Sequence, residues 1–355
     1  MTKQLDYLIV GQGIAGSLLA YQLLKANKKI MVLNDETLPT SSAVAGGIFN
    51  PITGKNLDKT WLADQIFPYL RTFYTSLEDE LGASFYHETN LYRPFANEQQ
   101  RRHFMRLIDE YELDNYIKII NTESADYQQI NNNLGGLHTT SAGWVNVPKM
   151  LLHLRNFFKE KETYVAQKIN FPELNITSEG VSYGDFSAKR IVFCEGYYAT
   201  QNPLFSWIPF NPAKGETLLA EIDGYAIKEI INQGFWIIPL GNDECRLGST
   251  YIWDSLNWQT TESGRELISS KIDKILNISY KIIGQEAGIR PTTKDRRPFM
   301  GNHPLHKNVS IFNGLGTKGV SLAPYFAGQM LVFLETNKDL MPDANIERFY
   351  SLYSL

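Results

Sequence analysis

The sequence predicts an α/β protein with two interleaved domains, a nucleotide-binding domain around a parallel sheet and an α+β domain with an antiparallel sheet. Three observations support this prediction. A strand, a glycine turn and a helix open the chain in "YLIVGQGIAGSLLAYQLL", and the same order returns near its end in "NVSIFNGLGTKGVSLAPYFAGQM". Between them, short apolar runs separated by Gly, Asn and Asp are typical of antiparallel strands.

The first elements follow from the spacing of apolar residues. Tyr7–Val10 is predicted as a buried parallel strand. Residues 16–26 place four leucines on one helical face, and Ile30–Leu33 is the second strand. The small residues of 40–55 predict a loop with at most one helical turn. Residues 59–82 have helical spacing, with Pro68 expected to break the helix.

Further along the chain the same rules predict six more features. They are an amphipathic helix at 98–114, a polar surface connection at 122–136, a helix that starts near Pro148, strands in "TYVAQKI" and "KRIVFCEGYYA", and a helix at 261–276. After Pro212, "GETLLAEID", "GFWIIPLG" and "CRLGSTYIW" predict antiparallel strands. We therefore expect a nucleotide-binding domain of 1–58, 142–205 and 284–355, and a substrate-binding domain of 59–141 and 206–283.

Length and composition limit the possible functions. A chain of 355 residues is long enough for two domains, and 43% hydrophobic and 20% charged residues are ordinary for a globular protein. The net charge of −4 argues against a general nucleic-acid or anionic-membrane surface. The N-terminus lacks the pattern of a signal peptide, and no apolar run is long enough to span a bilayer, so a cytoplasmic location is expected.

Cysteine and histidine residues are few and scattered. Cys194 and Cys245 have neither metal-site nor disulfide-framework spacing, and the six histidines form no ligand pattern. We therefore predict no bound metal.

Gly11, Gly13 and Gly16 form G-x-G-x-x-G directly after a strand and at the start of a helix. The first glycine permits the tight turn, the second lets the backbone approach a pyrophosphate, and the third lets the helix pack on the strand. Unpaired N–H groups at the helix start favour the anion. The context predicts a Rossmann-like dinucleotide site, although such a turn can also serve only to pack a helix on a strand.

The end of the second strand departs from the usual pattern. A carboxylate normally binds the ribose there, and this chain has Asn34 followed by Asp35. An amide oxygen can still accept a hydrogen bond from a ribose hydroxyl. We predict that one of the two residues contacts the ribose. No arginine stands nearby in the sequence, which disfavours the 2′-phosphate of NADP.

Four patches carry a resemblance to a known family. They are "VGQGIAGSLLAYQL", "TSSAVAGGIFNP", "EAGIRPTTKDRRPFMG" and "FNGLGTKGVSLAP". Together they resemble the D-amino-acid oxidase (DAO) superfamily of FAD-dependent oxidoreductases, including the glycine oxidases and the oxidase half of the bifunctional enzyme that modifies wobble uridine in tRNA. The resemblance implies a Rossmann-like FAD-binding domain of the glutathione-reductase type, built from discontinuous segments, with an antiparallel-sheet substrate domain.

The resemblance also implies which residues bind FAD. Neither cysteine lies in a motif that tethers flavin, so non-covalent FAD is expected. The expected cofactor-binding residues come from the glycine turn, the second strand, the loop that follows it, two further strand ends and the second glycine loop. They are Gly11, Gly13, Ile14, Ala15, Gly16, Asn34, Asp35, Ser41, Ser42, Ala45, Gly46, Gly47, Val165, Glu195, Gly196, Gly314, Gly316, Thr317, Lys318, Gly319 and Val320.

For the chemistry, the resemblance implies hydride transfer from the carbon that bears nitrogen to flavin N5. The resulting imine hydrolyses, and O₂ is the expected acceptor. Arg290 is the expected partner of a substrate carboxylate, with an ion pair to Asp295 or a flavin contact as alternatives. Lys318 could place a positive charge near the flavin, or be a solvated lysine. Tyr251 could point into the substrate cavity, or occupy one face of a sheet.

Three functions follow, in order of preference. The first is an FAD-dependent oxidase or dehydrogenase of an amino acid or secondary amine. The second is a tRNA wobble-uridine-modifying amine oxidase, which the acidic net charge disfavours without excluding it. The third is a flavin-binding protein without catalysis. The sequence leaves the substrate, the electron acceptor and the oligomeric state open.

Overall fold

The computed structural model describes residues 2–122 and 125–353. In chain order, the strands are β1 (Lys3–Val10), β2 (Ile30–Asn34), β3 (Ile48–Phe49), β4 (Ile52–Thr53), β5 (Asp58–Lys59), β6 (Tyr86–Glu88), β7 (Leu91–Pro94), β8 (Ile117–Ile120), β9 (Gly136–Thr139), β10 (Gly143–Val145), β11 (Tyr164–Ala166), β12 (Asn175–Ile176), β13 (Val181–Tyr183), β14 (Phe186–Phe193), β15 (Ala213–Glu221), β16 (Ile230–Asn232), β17 (Trp236–Gly241), β18 (Glu244–Gly248), β19 (Lys281–Arg290), β20 (Phe299–Asn302) and β21 (Val309–Asn313). The α-helices are α1 (Ile14–Lys25), α2 (Ala63–Leu81), α3 (Glu98–Glu110), α4 (Val147–Glu160), α5 (Glu262–Ile272) and α6 (Gly319–Thr336).

The first sheet has a parallel centre that is assembled from distant segments. Strands run in the order β11-β2-β1-β14-β13-β12, and β21 also pairs with β14, in parallel. Helix α1 packs against α4 and α6, and their apolar faces share one core that includes Leu18, Leu154 and Phe326. The predicted strand–turn–helix units at both ends of the chain are therefore confirmed, and they lie in the same sheet and core.

The second sheet confirms the predicted antiparallel strands. Its order is β19-β15-β18-β17-β16-β7-β9-β8, and only the pairing of β16 with β7 is parallel. Helix α5 covers β15 through a core that includes Ile268 and Ile272. The predicted division into domains stays a prediction, and β19 runs across the boundary that we placed at residue 284.

Three local predictions need correction. Helix α2 continues through Pro68. This proline is exposed, and Asp64, whose carbonyl loses its hydrogen-bond donor, is an exposed residue as well. Within 40–55, residues 40–47 form the expected loop, and the two short strands β3 and β4 follow it where no strand was expected. The polar connection at 122–136 buries Tyr127, whose ring stacks on Tyr92 at 3.8 Å; residues 123 and 124 lie outside the described part.

In the part of the chain that is described, no helix is both long enough and apolar enough to span a membrane.

A buried ion pair ties the second sheet to the segment before α5. Lys214 and Glu216, on β15, are 1% and 0% exposed, with 3.3 Å between Nζ and Oε1. The Glu216 carboxylate also accepts hydrogen bonds from Thr261 N–H and Oγ1–H and from Gln285 Nε2–H, at 2.7–2.8 Å. Lys214 donates to Asn257 Oδ1. This network satisfies both charges inside the protein.

Glu216→Ala is therefore expected to destabilise the fold by about 3–5 kcal/mol, because it leaves the Lys214 ammonium buried without its counter-ion. The matched control is Glu221→Ala at the exposed end of the same strand, where a loss below about 0.5 kcal/mol is expected. Urea denaturation of both variants measures the difference. Equal midpoints would contradict this account of the pair.

Candidate active site

One cavity of about 570 Å³ lies between the two sheets. One end is formed by residues at the carboxyl ends of the parallel strands β1, β2 and β14. The other end is formed by the antiparallel strands β15, β17 and β19. Ligands of α/β sheets bind outside the carboxyl ends of parallel strands, so the position is the expected one for a nucleotide.

The glycine turn at the end of β1 depends on close backbone packing. Gly11 has φ +101, and a Cβ atom there would lie 2.5 Å from the carbonyl oxygen of Cys194. A Cβ atom on Gly16 would overlap the carbonyl oxygen of Gly11. Helix α1 begins after Gly13, with no side-chain cap and no acidic residue in its first turn. The Ile14 N–H donates to Ser42 Oγ at 3.2 Å. The turn brings the other N–H groups of the helix start and the positive end of the helix dipole to the cavity, where an anion is stabilised.

Asn34 and Asp35 both line the cavity. Asn34 Oδ1 accepts a hydrogen bond of 2.9 Å from the backbone N–H of Gln12, and its Nδ2 donates to the Tyr164 hydroxyl at 3.3 Å. Asp35 Oδ1 accepts from the backbone and hydroxyl of Thr37, as in an Asx turn. The glycine turn thus orients the Asn34 side chain, whereas the Asp35 side chain is engaged in a local turn with Thr37.

An arginine does reach this strand end, which the sequence did not indicate. Arg155, on α4, donates from Nε to Gln12 Oε1 at 2.8 Å, and its Nη1 lies 3.5 Å from Glu36 Oε1. Glu36 also accepts a hydrogen bond from Tyr164 at 2.8 Å. No arginine is close to this strand end in the sequence, but Arg155 is close to it in the folded protein. Its guanidinium contacts Gln12 and Glu36.

The small-residue loop after β2 fits between three other elements. A Cβ atom on Gly47 would overlap the carbonyl oxygen of Val145, and Gly288 of β19 has no room for one beside Val44. A Cβ atom on Gly46 would lie 2.8 Å from the Trp236 ring. The absence of side chains lets this loop form a thin wall between the cavity and the second sheet.

Arg290 lies at the opposite end of the cavity. Its Nη2 donates to Ser249 Oγ at 2.9 Å and its Nη1 to the Thr250 carbonyl at 3.3 Å, and its guanidinium lies 5.0 Å from the Tyr251 ring centre. Burial lowers the pKa of Arg290. Among the described residues, no carboxylate lies within 4.0 Å of its guanidinium, and Asp295 pairs with Arg348 instead. The alternative of a structural ion pair with Asp295 was wrong.

The side chain of Lys318 points to Thr60, whose Oγ1 accepts its hydrogen bond at 3.0 Å. Burial, together with the neighbouring charges of Arg296 and Arg297, lowers the pKa of this ammonium. Lys318 is not among the residues that line the cavity. An electrostatic role toward the flavin stays a prediction.

Most residues expected to bind FAD meet in this one cavity, although they come from distant parts of the chain. Those that line it are Gly11, Gly13, Ile14, Ala15, Asn34, Asp35, Ser41, Ser42, Ala45, Gly46, Gly47, Glu195, Gly196, Gly316, Thr317, Gly319 and Val320. Gly16, Val165, Gly314 and Lys318 do not line it. Gly16 and Gly314 are buried behind the two glycine loops, and Val165 pairs with β2.

Several wall residues were not among the expected site residues. They are Gly215, Thr217, Trp236, Ser249, Trp258 and Gly288. Gly215 has a specific role, because a Cβ atom there would overlap the Arg290 guanidinium. The pairing of β15 with β19, which aligns Gly215 with Gly288 and Ala213 with Arg290, could have indicated it only once the register was known.

The residues present fit a bound FAD. The cavity is lined by a polar strand end, by a glycine turn suited to a diphosphate, by a glycine-rich wall and by the partly buried Arg290. Gly11 and Gly13 would face the diphosphate, and Ser41–Gly47 and Gly316–Val320 would hold the flavin end.

Comparisons with known proteins agree with this geometry. The family model described as "FAD dependent oxidoreductase" (DAO) matches residues 6–334. Glycine oxidase of Bacillus licheniformis is 25% identical over 93% of each chain. Iminodiacetate oxidase from Chelativorans sp. BNC1 has a similar fold, with a TM-score of 0.81. The two chains are 16% identical, and the match covers 97% of this chain and 98% of that one.

A third relative is described by its name as a bifunctional protein. The tRNA 5-methylaminomethyl-2-thiouridine biosynthesis bifunctional protein MnmC of Marinobacter nauticus is 20% identical over 90% of this chain. This chain spans 54% of that protein's length.

The orientation of Asn34 leads to a prediction about the adenosine end. Asn34→Ala is expected to raise the Kd of the apoprotein for FAD about tenfold, because it removes an oriented hydrogen-bonding group that faces the cavity. Asp35→Ala, the matched change one residue later, is expected to alter the Kd less than about twofold. Quenching of FAD fluorescence measures both. A larger effect at Asp35 than at Asn34 would contradict this assignment.

Proposed function

The chain belongs to the DAO family of FAD-dependent oxidoreductases, and from this premise we propose that it oxidises the C–N bond of a small amine that carries a carboxylate. Such a substrate is an amino acid or a secondary amine. The observation that carries the proposal is the partly buried Arg290 at the end of the cavity, which has no carboxylate partner among the described residues.

Arg290 has the features of a carboxylate receptor. Its two terminal nitrogens are held on one side by Ser249 and the Thr250 carbonyl, both neutral groups. A buried guanidinium that lacks a counter-ion is costly, and a bound carboxylate offsets that cost through two parallel charge-assisted hydrogen bonds. The Tyr251 ring supports the guanidinium face by a cation–π contact.

The neighbouring wall supports a small substrate. Trp236 lies between two glycines: a Cβ atom on Gly46 would be 2.8 Å from its ring, and one on Gly248 would be 2.7 Å away. Trp236 and Thr217 line the same cavity as Arg290. A bulky substituent on the reacting carbon would have to displace this indole.

Bound FAD would supply the hydride acceptor for the carbon that bears nitrogen, and O₂ is the expected electron acceptor. The protein chain itself contributes by positioning the substrate. Arg290 holds one end of the substrate, and the wall of Trp236 and Thr217 limits its rotation, so that the reacting bond is held at one place. The names of the relatives support this proposal, because glycine and iminodiacetate are both small amines with a carboxylate.

A second candidate is oxidation of a carboxymethylaminomethyl group on a tRNA base. The similarity to MnmC over most of this chain favours it, and a glycine-like carboxylate would use Arg290 in the same way. Salt-dependent binding of tRNA, together with flavin bleaching by tRNA and not by free amino acids, would replace the first proposal by this one.

Anaerobic bleaching of the flavin tests the proposed function. We expect at least one of glycine, sarcosine, iminodiacetate and the D- and L-amino acids to bleach the 450-nm absorption typical of flavins, about tenfold or more faster than matched amines without a carboxylate. Methylamine and dimethylamine are the matched controls for glycine and sarcosine. Bleaching by none of these amines, or equal bleaching with and without the carboxylate, would contradict the proposal.

Gly215→Ala tests the position of Arg290 without removing its charge. The added methyl group would overlap the guanidinium, so the Kd of the holoenzyme for propionate is expected to rise about tenfold to a hundredfold, with FAD content unchanged. Perturbation of the flavin spectrum by propionate measures the Kd.

The control is Gly284→Ala on β19, where a Cβ atom would make an ordinary 3.4 Å contact with Leu219. It should bind propionate like the unmodified enzyme. Unchanged propionate binding by Gly215→Ala would show that Arg290 does not receive the carboxylate.

A further inference from the structure

Glu195 is a carboxyl group on the cavity wall that the proposed reaction does not use. It follows β14, beside the glycine turn: a Cβ atom on Gly11 would lie 3.4 Å from its Cα. Among the described residues, no lysine, arginine or histidine forms an ion pair with it. An acidic residue without a counter-ion therefore lies next to the turn that is suited to an anionic diphosphate.

The hydrogen bonds of Glu195 distinguish its two oxygens. Asn202 is 1% exposed, and its Oδ1 accepts a hydrogen bond of 2.8 Å from the backbone N–H of Leu204. This bond fixes the orientation of the amide, so Asn202 Nδ2 must donate to Glu195 Oε2, at 2.6 Å. Oε1 has no hydrogen-bond partner among the described residues. A proton on this carboxyl group therefore belongs on Oε1, which is free to donate to a ligand.

Glu195 is the acidic group of this cavity whose pKa lies near neutral pH. Burial raises its pKa to about 7, and the hydrogen bond from Asn202 opposes this shift. Burial also raises the pKa of the adjacent Cys194 thiol, which stays neutral. The tyrosines of the following turn are Tyr197 and Tyr198, and the charged residues on other walls of the cavity are Asp35, Lys168 and Arg290. None of these forms an ion pair with Glu195.

A charged Glu195 would oppose the bound cofactor. The diphosphate of FAD is anionic, and like charges in a poorly solvated cavity repel strongly. A neutral carboxyl group removes the repulsion and adds a hydrogen-bond donor. We infer that Glu195 is a neutral carboxylic acid when FAD is bound, so that FAD binding takes up one proton at this residue. The inference rests on the FAD cofactor and is independent of the proposed substrate.

The test is the pH dependence of FAD binding to the apoprotein between pH 6 and 9. Above pH 7, where apoprotein Glu195 is ionised, the Kd of the unmodified protein should rise about tenfold for each pH unit. Glu195→Gln is always neutral and should bind FAD across the range with a Kd near the low-pH value of the unmodified protein. Asp35→Asn, which neutralises another carboxylate of the same cavity, should keep the pH dependence.

Isothermal titration of the unmodified protein in phosphate and in Tris at pH 8 measures the proton directly, even if a variant folds poorly. The two buffers differ in their heat of ionisation, and the difference should correspond to uptake of about one proton per FAD. A Kd that does not change with pH, the same pH dependence in Glu195→Gln, or no proton uptake at pH 8 would each overturn the inference.

Discussion

The packing of Gly16 against the carbonyl of Gly11 is the constraint on which the site depends. No side chain fits between them, so helix α1 starts immediately after the turn and lies flat on the parallel strands. The N–H groups of the helix start then face the cavity, and β14 passes close enough for Cys194 to contact Gly11. The anion-binding turn, the position of Glu195 and the direction of the cavity all follow from this close approach.

The second sheet packs against this part of the protein at further glycines, where a side chain would not fit. Gly288 of β19 lies against Val44, and Gly46 lies against Trp236 of β17, so the loop after β2 is held between the two sheets. Because β19 continues from that contact to Arg290, the same packing sets the distance between the glycine turn and the guanidinium.

Local patterns predicted much of this structure. The glycine motif, the strand–turn–helix units at both ends and the antiparallel run after Pro212 involve neighbours in the chain, and most residues expected at the cofactor do line the cavity. What could not be predicted depends on contacts between distant residues. Arg155 reaches Gln12 across more than a hundred positions, and the role of Gly215 appears only once β15 and β19 are paired in register. Pro68 shows the converse, since the local rule that proline breaks a helix fails on this exposed stretch of α2.

A crystal structure of the enzyme with FAD and propionate tests the central claim most directly, because it places cofactor and carboxylate in one experiment. The account predicts adenosine at Asn34, the diphosphate at the Gly11–Gly13 turn, the flavin along Ser41–Gly47, and the propionate carboxylate on both terminal nitrogens of Arg290. A cofactor bound in the reverse direction, or propionate bound away from an Arg290 that has turned out of the cavity, would contradict it.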